Sequence, residues 1–373
     1  MTELKVPFFD YPRVYLDDRD NLLSIIDEVC SRGAFVLQDD LHNFEHELAN
    51  YLGIDQAVGV GNATDGMELA WLAVGLQPGD EVICCAHTML ATASAIVMAG
   101  GVPVPVDIGD DNLIDPEAIE DAITPRTIGI MPTQLNGRIC DMDKICAIAE
   151  KNDLVLIEDA AQALGARYKG RSAGSFGLAG SFSFFPAKVM GCLGDGGAVV
   201  SNDSEIFERI FQLHDHGRAK NGEVHCWGRN SRLDNLQAAI LRYRLTHYTD
   251  VIARRREIAR MYYEQLCDIE MLRLPPGPYA DPERFDVYQN YELCAQRRDQ
   301  LQAHLKQRGV GTLVQWNGRA VHQWEALGYD MRIPRVEKFF NESLMLPMNM
   351  FISDSDIEYV CESVRSFYGV CGS

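Results

Sequence analysis

Gly180-Ser-Phe-Ser-Phe-Phe-Pro-Ala-Lys188-Val-Met-Gly-Cys-Leu-Gly-Asp-Gly-Gly197 reads as a short apolar strand, a proline, one lysine and a glycine-rich turn. Lys188 is the only charged residue between Arg171 and Asp195. A lysine set among apolar and small side chains is desolvated. Desolvation disfavours the ammonium and lowers its pKa, which frees the amine as a nucleophile. A Schiff-base lysine needs that property. Taken alone, the bland reading is a lysine on a surface loop, and the flanking sequence has to overturn it.

Upstream, Leu154-Val-Leu-Ile-Glu-Asp159-Ala-Ala-Gln162 is a strand that ends in two acids. Alternation puts Glu158 and Asp159 on opposite faces. Asp159 then serves either as a helix N-cap or as the partner of a protonated ring nitrogen, where a carboxylate keeps an electron sink charged. Further back, Ala57–Gly61 is a short buried strand that runs through Asn62-Ala-Thr-Asp65 into an apolar helix, Met67–Val74. A strand, a glycine and a helix start form a phosphate cradle by geometry; the local alternative is an ordinary N-cap by Thr64 or Asp65. Gly59-Val-Gly61 hints at a dinucleotide fingerprint, but Thr64 stands where its third glycine belongs, so that reading is set aside.

Between these segments strand and helix alternate: Glu81–Cys85, Thr88–Ala99, Val102–Ile108, Pro116–Ile123, Thr127–Pro132, Asp141–Lys151, Leu154–Asp159. Strands Ser181–Phe185 and Ala198–Ser201 follow. Apolar strands without period-two alternation, separated by helices, predict an α/β fold with a mostly parallel sheet covered on both faces. Sites in such sheets lie at the carboxyl ends of the strands. Helices predominate after Asn202, and residues 280–373 mix strands with helices. The expected division is a large cofactor-binding domain with an N-terminal helical segment, 1–250, and a smaller α+β domain, 251–373.

Composition narrows the partners. The chain has 373 residues and a net charge of -20, which argues against nucleic acid and against anionic membrane as partners. Eleven cysteines without a C-x-x-C pair read as reduced thiols in a cytoplasmic protein, with no metal site. The stretch MTELKVPFFDYPRV lacks the apolar run of a signal peptide, and glycines and prolines break the apolar run 90–108, so no membrane span is expected.

Five segments taken together resemble the DegT/DnrJ/EryC1/StrS family of pyridoxal-phosphate-dependent sugar aminotransferases. They are Gly61–Asp65, Glu158–Gln162, Ser181–Lys188, Gly194–Gly197 and Asn230-Ser-Arg232-Leu with Gln237-Ala-Ala, in the family's order and spacing from about Val6 onward. The resemblance implies the aspartate-aminotransferase (type I) fold with pyridoxal 5'-phosphate as cofactor. It implies that Lys188 joins the cofactor covalently and shuttles the donor's proton, that Asp159 pairs with the ring nitrogen, and that Gln162 bonds near the ring hydroxyl. Ala63, Thr64 and Ser183 would hold the phosphate. Asn230 would reach the phosphate from the neighbouring subunit of a homodimer, unless it merely caps a helix starting near Leu233. Arg232 reads as a brace.

Two positions depart from the family pattern. Met89, with His87 two residues before it, stands where an aromatic usually stacks on the cofactor. Gln134, in Thr133-Gln134-Leu-Asn-Gly137, stands where a histidine is usual, which suggests an altered substrate side. Related dehydratases carry histidine at the lysine position; this chain keeps Lys188. The resemblance therefore implies amino transfer from L-glutamate to a keto sugar, read first as nucleotide-linked. The alternatives are a free keto sugar, an oxidised sugar acid such as 8-oxo-octulosonate, a cyclitol ketone, or a catalytically idle regulatory relative. Trp316, in the substrate-side loop, could stack on a sugar or base or belong to the core.

Overall fold

The computed structural model describes residues 4–370. Helices α1 (Tyr11–Asp17), α2 (Arg19–Arg32) and α3 (Asp39–Leu52) precede β1 (Gln56–Val60) and α4 (Ala63–Ala73). Then come β2 (Glu81–Cys85), α5 (Leu90–Met98), β3 (Val102–Val106), α6 (Pro116–Ala122), β4 (Thr127–Met131), α7 (Met142–Lys151) and β5 (Val155–Asp159). A small hairpin, β6 (Arg167–Tyr168) and β7 (Arg171–Ser172), leads to β8 (Ala179–Ser183) and β9 (Gly197–Ser201). Helices α8 (Ser204–His214), α9 (Asn235–Thr246) and α10 (Tyr248–Leu266) follow. The remainder holds β10 (Leu272–Arg273), β11 (Arg284–Phe285), β12 (Tyr291–Ala295), α11 (Arg298–Gln307), α12 (Pro334–Glu342), β13 (Ser343–Leu346) and α13 (Asp354–Tyr368).

The large sheet has seven strands in the order β1-β9-β8-β5-β4-β2-β3. The run from β8 to β3 is parallel, while β9 lies antiparallel between β1 and β8. All residues of β2 and β9 are buried, as two-sided coverage by helices requires. A smaller antiparallel sheet, β10-β12-β13, packs with α10, α11 and α13 around a second core. Helix α10 ties the two bodies together: Tyr248 and Ile252 belong to the main core, while Ile258, Tyr262 and Leu266 belong to the second. Val6 also sits in the second core, bridged to Val310.

Several predicted boundaries move. Helix α4 begins at Ala63, four residues before Met67, because Asn62 rather than Thr64 or Asp65 is the N-cap: its Oδ1 accepts from Asp65 N–H at 2.9 Å. Strand β12 begins only at Tyr291, since Tyr288 takes a left-handed φ of 51° that a strand cannot hold. No helix among the described residues is long and apolar enough to cross a membrane.

Candidate active site

Asp159 closes β5 at the carboxyl edge of the sheet and is 3% exposed. Its Oδ1 accepts from Ala161 N–H at 3.1 Å and its Oδ2 from the Thr92 hydroxyl at 2.6 Å. Thr92 in turn meets Thr88 at 2.6 Å, and Thr88 meets Thr133 at 2.8 Å. Burial pushes the Asp159 carboxyl up, opposed by these donors and by the charge of Lys188. The threonine chain escaped the sequence reading. Its trace in the sequence is the i, i+4 spacing of Thr88, just ahead of α5, and Thr92 in the first turn of α5.

Glu158, one residue earlier, points to the opposite face. It accepts from Gly174, Phe176 and Gly177 backbone N–H groups and from Gln134 Nε2 at 2.7 Å. This corrects the expectation for Gln134. Fully buried, with its Oε1 taken by Cys140 N–H, it braces Glu158 and does not face a substrate.

Lys188 follows β8 in a turn closed by its own N–H to Phe185 carbonyl at 2.8 Å. Gln289 clamps both flanks: Nε2 donates to Ala187 carbonyl and Oε1 accepts from Val189 N–H, each at 2.9 Å. Gln237 holds the far end of the glycine turn through both the N–H and the carbonyl of Leu193. Lys188 opens onto a cavity of about 480 Å³ walled by Phe8, Tyr11, Arg244, Asn290 and Phe351, among others. Protein surrounds the amine on its other sides, and this desolvation lowers its pKa from 10.5 to about 8, with Asp159 pulling the other way. Asp159 and the start of α4 are not in the wall of that cavity; Lys188 is the residue common to it and to the cluster at the sheet edge.

The start of α4 is built to meet an anion. Asn62 occupies the Asp65 and Gly66 N–H groups through its side chain and carbonyl. The N–H groups of Ala63 and Thr64 remain at the positive end of the helix. Gly197 must be glycine here, since a Cβ would stand 2.6 Å from Asn62 C and 2.7 Å from Ala63 N. Ser183 ends β8 half-buried; its Oγ accepts from Phe185 N–H at 3.3 Å and keeps its own proton to donate. Gln162 Oε1 accepts from Asn136 N–H at 2.9 Å, leaving Nε2 as a donor.

Met89 is 48% exposed at the N-terminus of α5. His87 goes elsewhere. It is 1% exposed, its Nδ1 meets Asn112 carbonyl at 2.8 Å, its Nε2 faces Glu292 at 3.6 Å, and its ring lies against Phe339. It offers no ring nitrogen to a ligand in the cavity. Asn230 is exposed on a loop clamped to α4 through Ser231 Oγ to Asp65 at 2.6 Å and through Arg229 to Glu68. It caps no helix, because α9 starts at Asn235 with Asp234 in the cap position. Arg232 pairs with Asp215 at 3.0 Å and braces the loop. Trp316 is partly buried against the main core, edge-on to His87.

A desolvated amine, a buried carboxylate whose charge acts on it and a free helix N-terminus suit one class: a pyridoxal-phosphate enzyme on the aspartate-aminotransferase fold. The residues present fit that cofactor at its aldehyde, its ring nitrogen and its phosphate. The model of the DegT/DnrJ/EryC1/StrS aminotransferase family matches residues 17–365, and the chain belongs to that family. It is a pyridoxal-phosphate-dependent aminotransferase.

Among its relatives, the pleiotropic regulatory protein of Geobacillus stearothermophilus is 38% identical over 369 residues, covering 98% of this chain and 99% of that one. The dTDP-3-amino-3,4,6-trideoxy-alpha-D-glucose transaminase of Streptomyces venezuelae is 38% identical, covering 97% and 96%. The crystal structure of S. venezuelae DesV in complex with a ketimine intermediate superposes with a TM-score of 0.93 at 38% identity, over 98% of this chain and 99% of that one.

Proposed function

We propose that this enzyme moves the amino group of L-glutamate onto the ketone of a nucleotide-linked sugar, in the synthesis of amino sugars for a cell-surface polysaccharide or a glycoside. The observation that carries the chemistry is the Lys188 amine, brought to about 8 by burial and coupled to Asp159. The substrate class rests on the transaminase relative that acts on a dTDP-sugar. When bound, pyridoxal phosphate supplies the carbonyl that accepts the amino group and the electron sink for the carbanion.

The chain's own residues do the rest. Lys188 Nζ, neutral in a useful fraction near pH 8, takes the proton from Cα of the donor and returns it during the second half of the exchange. Asp159, fixed by Thr92 and Ala161, holds a proton on the ring nitrogen by charge. The N–H groups of Ala63 and Thr64 and the Ser183 hydroxyl bind the phosphate, Gln162 Nε2 donates to the ring hydroxyl, and Met89 packs on the ring face through its thioether. Asn230 completes the phosphate site from the second subunit of a homodimer. Residues 1–250 supply these ligands, and 251–373, joined by the Val6 segment, form the wall over them. A cytoplasmic location is supported by the cysteine pattern read as reduced thiols, and the described cysteines form no disulfide.

The free-sugar alternative drew on Gln134 and Met89, and Gln134 gives it no support now that it faces Glu158. An idle regulatory role fits poorly with intact Lys188, Asp159 and Ser183. The test is a panel: UDP-, dTDP- and GDP-linked keto sugars against free keto sugar acids and cyclitol ketones, with glutamate as donor. Glutamate-dependent amination confined to a nucleotide-linked substrate is expected. Amination of the free compounds alone would overturn the substrate class.

A further inference from the structure

Beneath the candidate site lies a buried polar cluster that the chemistry above leaves unused. Glu292 sits on β12 at 5% exposure. Its Oε2 accepts from Asn136 Nδ2 at 2.7 Å and from Gln315 Nε2 at 3.3 Å, and faces His87 Nε2 at 3.6 Å. His87 donates Nδ1–H to Asn112 carbonyl, since a carbonyl can only accept. The His87 ring packs in an apolar wall of Phe339, Phe340 and Trp316.

The cluster leads to Gln162 through Asn136. Asn136 takes a left-handed backbone, φ 56° and ψ 17°, in which a side chain is tolerated at some cost. Its polar groups are all engaged. Nδ2 goes to Glu292, Oδ1 accepts from Asn290 Nδ2 and Gln315 Nε2 at 2.8 Å each, and its carbonyl accepts from Gln289 N–H. Its backbone N–H, which can only donate, meets Gln162 Oε1 at 2.9 Å, with Asn290 Nδ2 at 3.4 Å from the same oxygen. The sense of the whole network is set at Glu292, the one member that only accepts. Glu292 fixes which end of the Asn136 amide faces it, and that clamp holds the left-handed turn that aims the N–H at Gln162.

We propose that Glu292 is a positioning residue: by clamping Asn136 it orients Gln162 so that Nε2 donates to the bound cofactor. The proposal rests on the reading of Gln162 given under Proposed function.

The experiment is a cycle on the holoenzyme with Glu292→Gln, Gln162→Ala and the double variant. The readouts are the pyridoxal phosphate dissociation constant and the ratio of the near-ultraviolet and visible cofactor bands at fixed pH. Loss of one oriented hydrogen bond is expected to weaken the cofactor about 5–10-fold in either single variant and to shift the band ratio the same way. The double variant is expected to match Gln162→Ala, because the effect of Glu292 passes through Gln162. Additive effects, or a Glu292→Gln enzyme with wild-type affinity and spectrum, overturn the proposal. If Gln162→Ala itself changes nothing, the cofactor role of Gln162 fails instead, and the positioning role falls with it. Should Glu292→Gln not fold, Asn136→Ala keeps the backbone N–H but removes the clamp and disfavours the left-handed turn. It is expected to give the same shift, and an unshifted spectrum refutes the idea.

Discussion

Replacing Lys188 by methionine should make the cofactor-free protein more stable at neutral pH while abolishing its chemistry. Burial lowers the Lys188 amine from 10.5 to about 8. Each pKa unit is worth about 1.4 kcal/mol, so the charged form costs the fold roughly 3 kcal/mol at pH 7. Methionine has similar length and carries no charge to desolvate. The cost depends on pH in a known direction. Between about pH 8 and 10.5 the unfolded chain holds the lysine proton and the folded one has released it. Wild-type stability therefore rises with pH through that window relative to the variant. Below pH 8 the full difference stands, and above 10.5 it vanishes. The assay is calorimetry of both apo proteins at pH 7 and pH 10.5. At roughly 2 °C per kcal/mol for a chain of this size, Lys188→Met should melt about 5 °C higher at pH 7 and at nearly the wild-type temperature at pH 10.5. A variant that melts at or below wild type at pH 7, or with a difference that does not close at high pH, refutes the claim that Lys188 is held desolvated.

Asp159→Asn should lower turnover by orders of magnitude with a much smaller loss of cofactor, because a neutral amide cannot keep the ring nitrogen protonated; single-turnover kinetics beside a cofactor titration read both, and near-normal turnover counts decisively against the role. Thr92→Val removes a 2.6 Å donor from the Asp159 carboxylate and should cost about 10-fold in kcat, with Thr92→Ser restoring most of it; an unaffected valine variant would show that Ala161 N–H suffices. Mixing Lys188→Ala with Asn230→Ala subunits should restore activity in the hybrid dimer, since one site then collects both defects and the other none. No recovery from two separately impaired parents would place Asn230 in its own subunit's site.

The sequence was most informative where chemistry and local geometry coincide. Lys188 stands out because no other charge lies within its segment, and Asp159 because an acid at the end of an apolar strand can only be a site or a cap. Strand alternation separated Glu158 from Asp159 before any contact was known, and the order of strands and helices set the sheet. These readings need only neighbours in the chain.

What the tertiary structure decided lies between segments far apart in sequence. Gln134 looked like part of the substrate wall until the packing turned it to Glu158, and His87 looked like a cofactor residue until the packing buried its ring against Phe339, with Nδ1 on the Asn112 carbonyl and Nε2 facing Glu292. Asn62 displaced Thr64 as the cap of α4 because that helix starts earlier than its apolar pattern. Gln289 and Asn136 gave no local signal, since each acts through a hydrogen bond whose partner lies far away in the sequence. Periodicity tells which face of an element is apolar. It does not tell which buried polar groups will meet there, because every donor on that face must find an acceptor and the choice among candidates is made by packing.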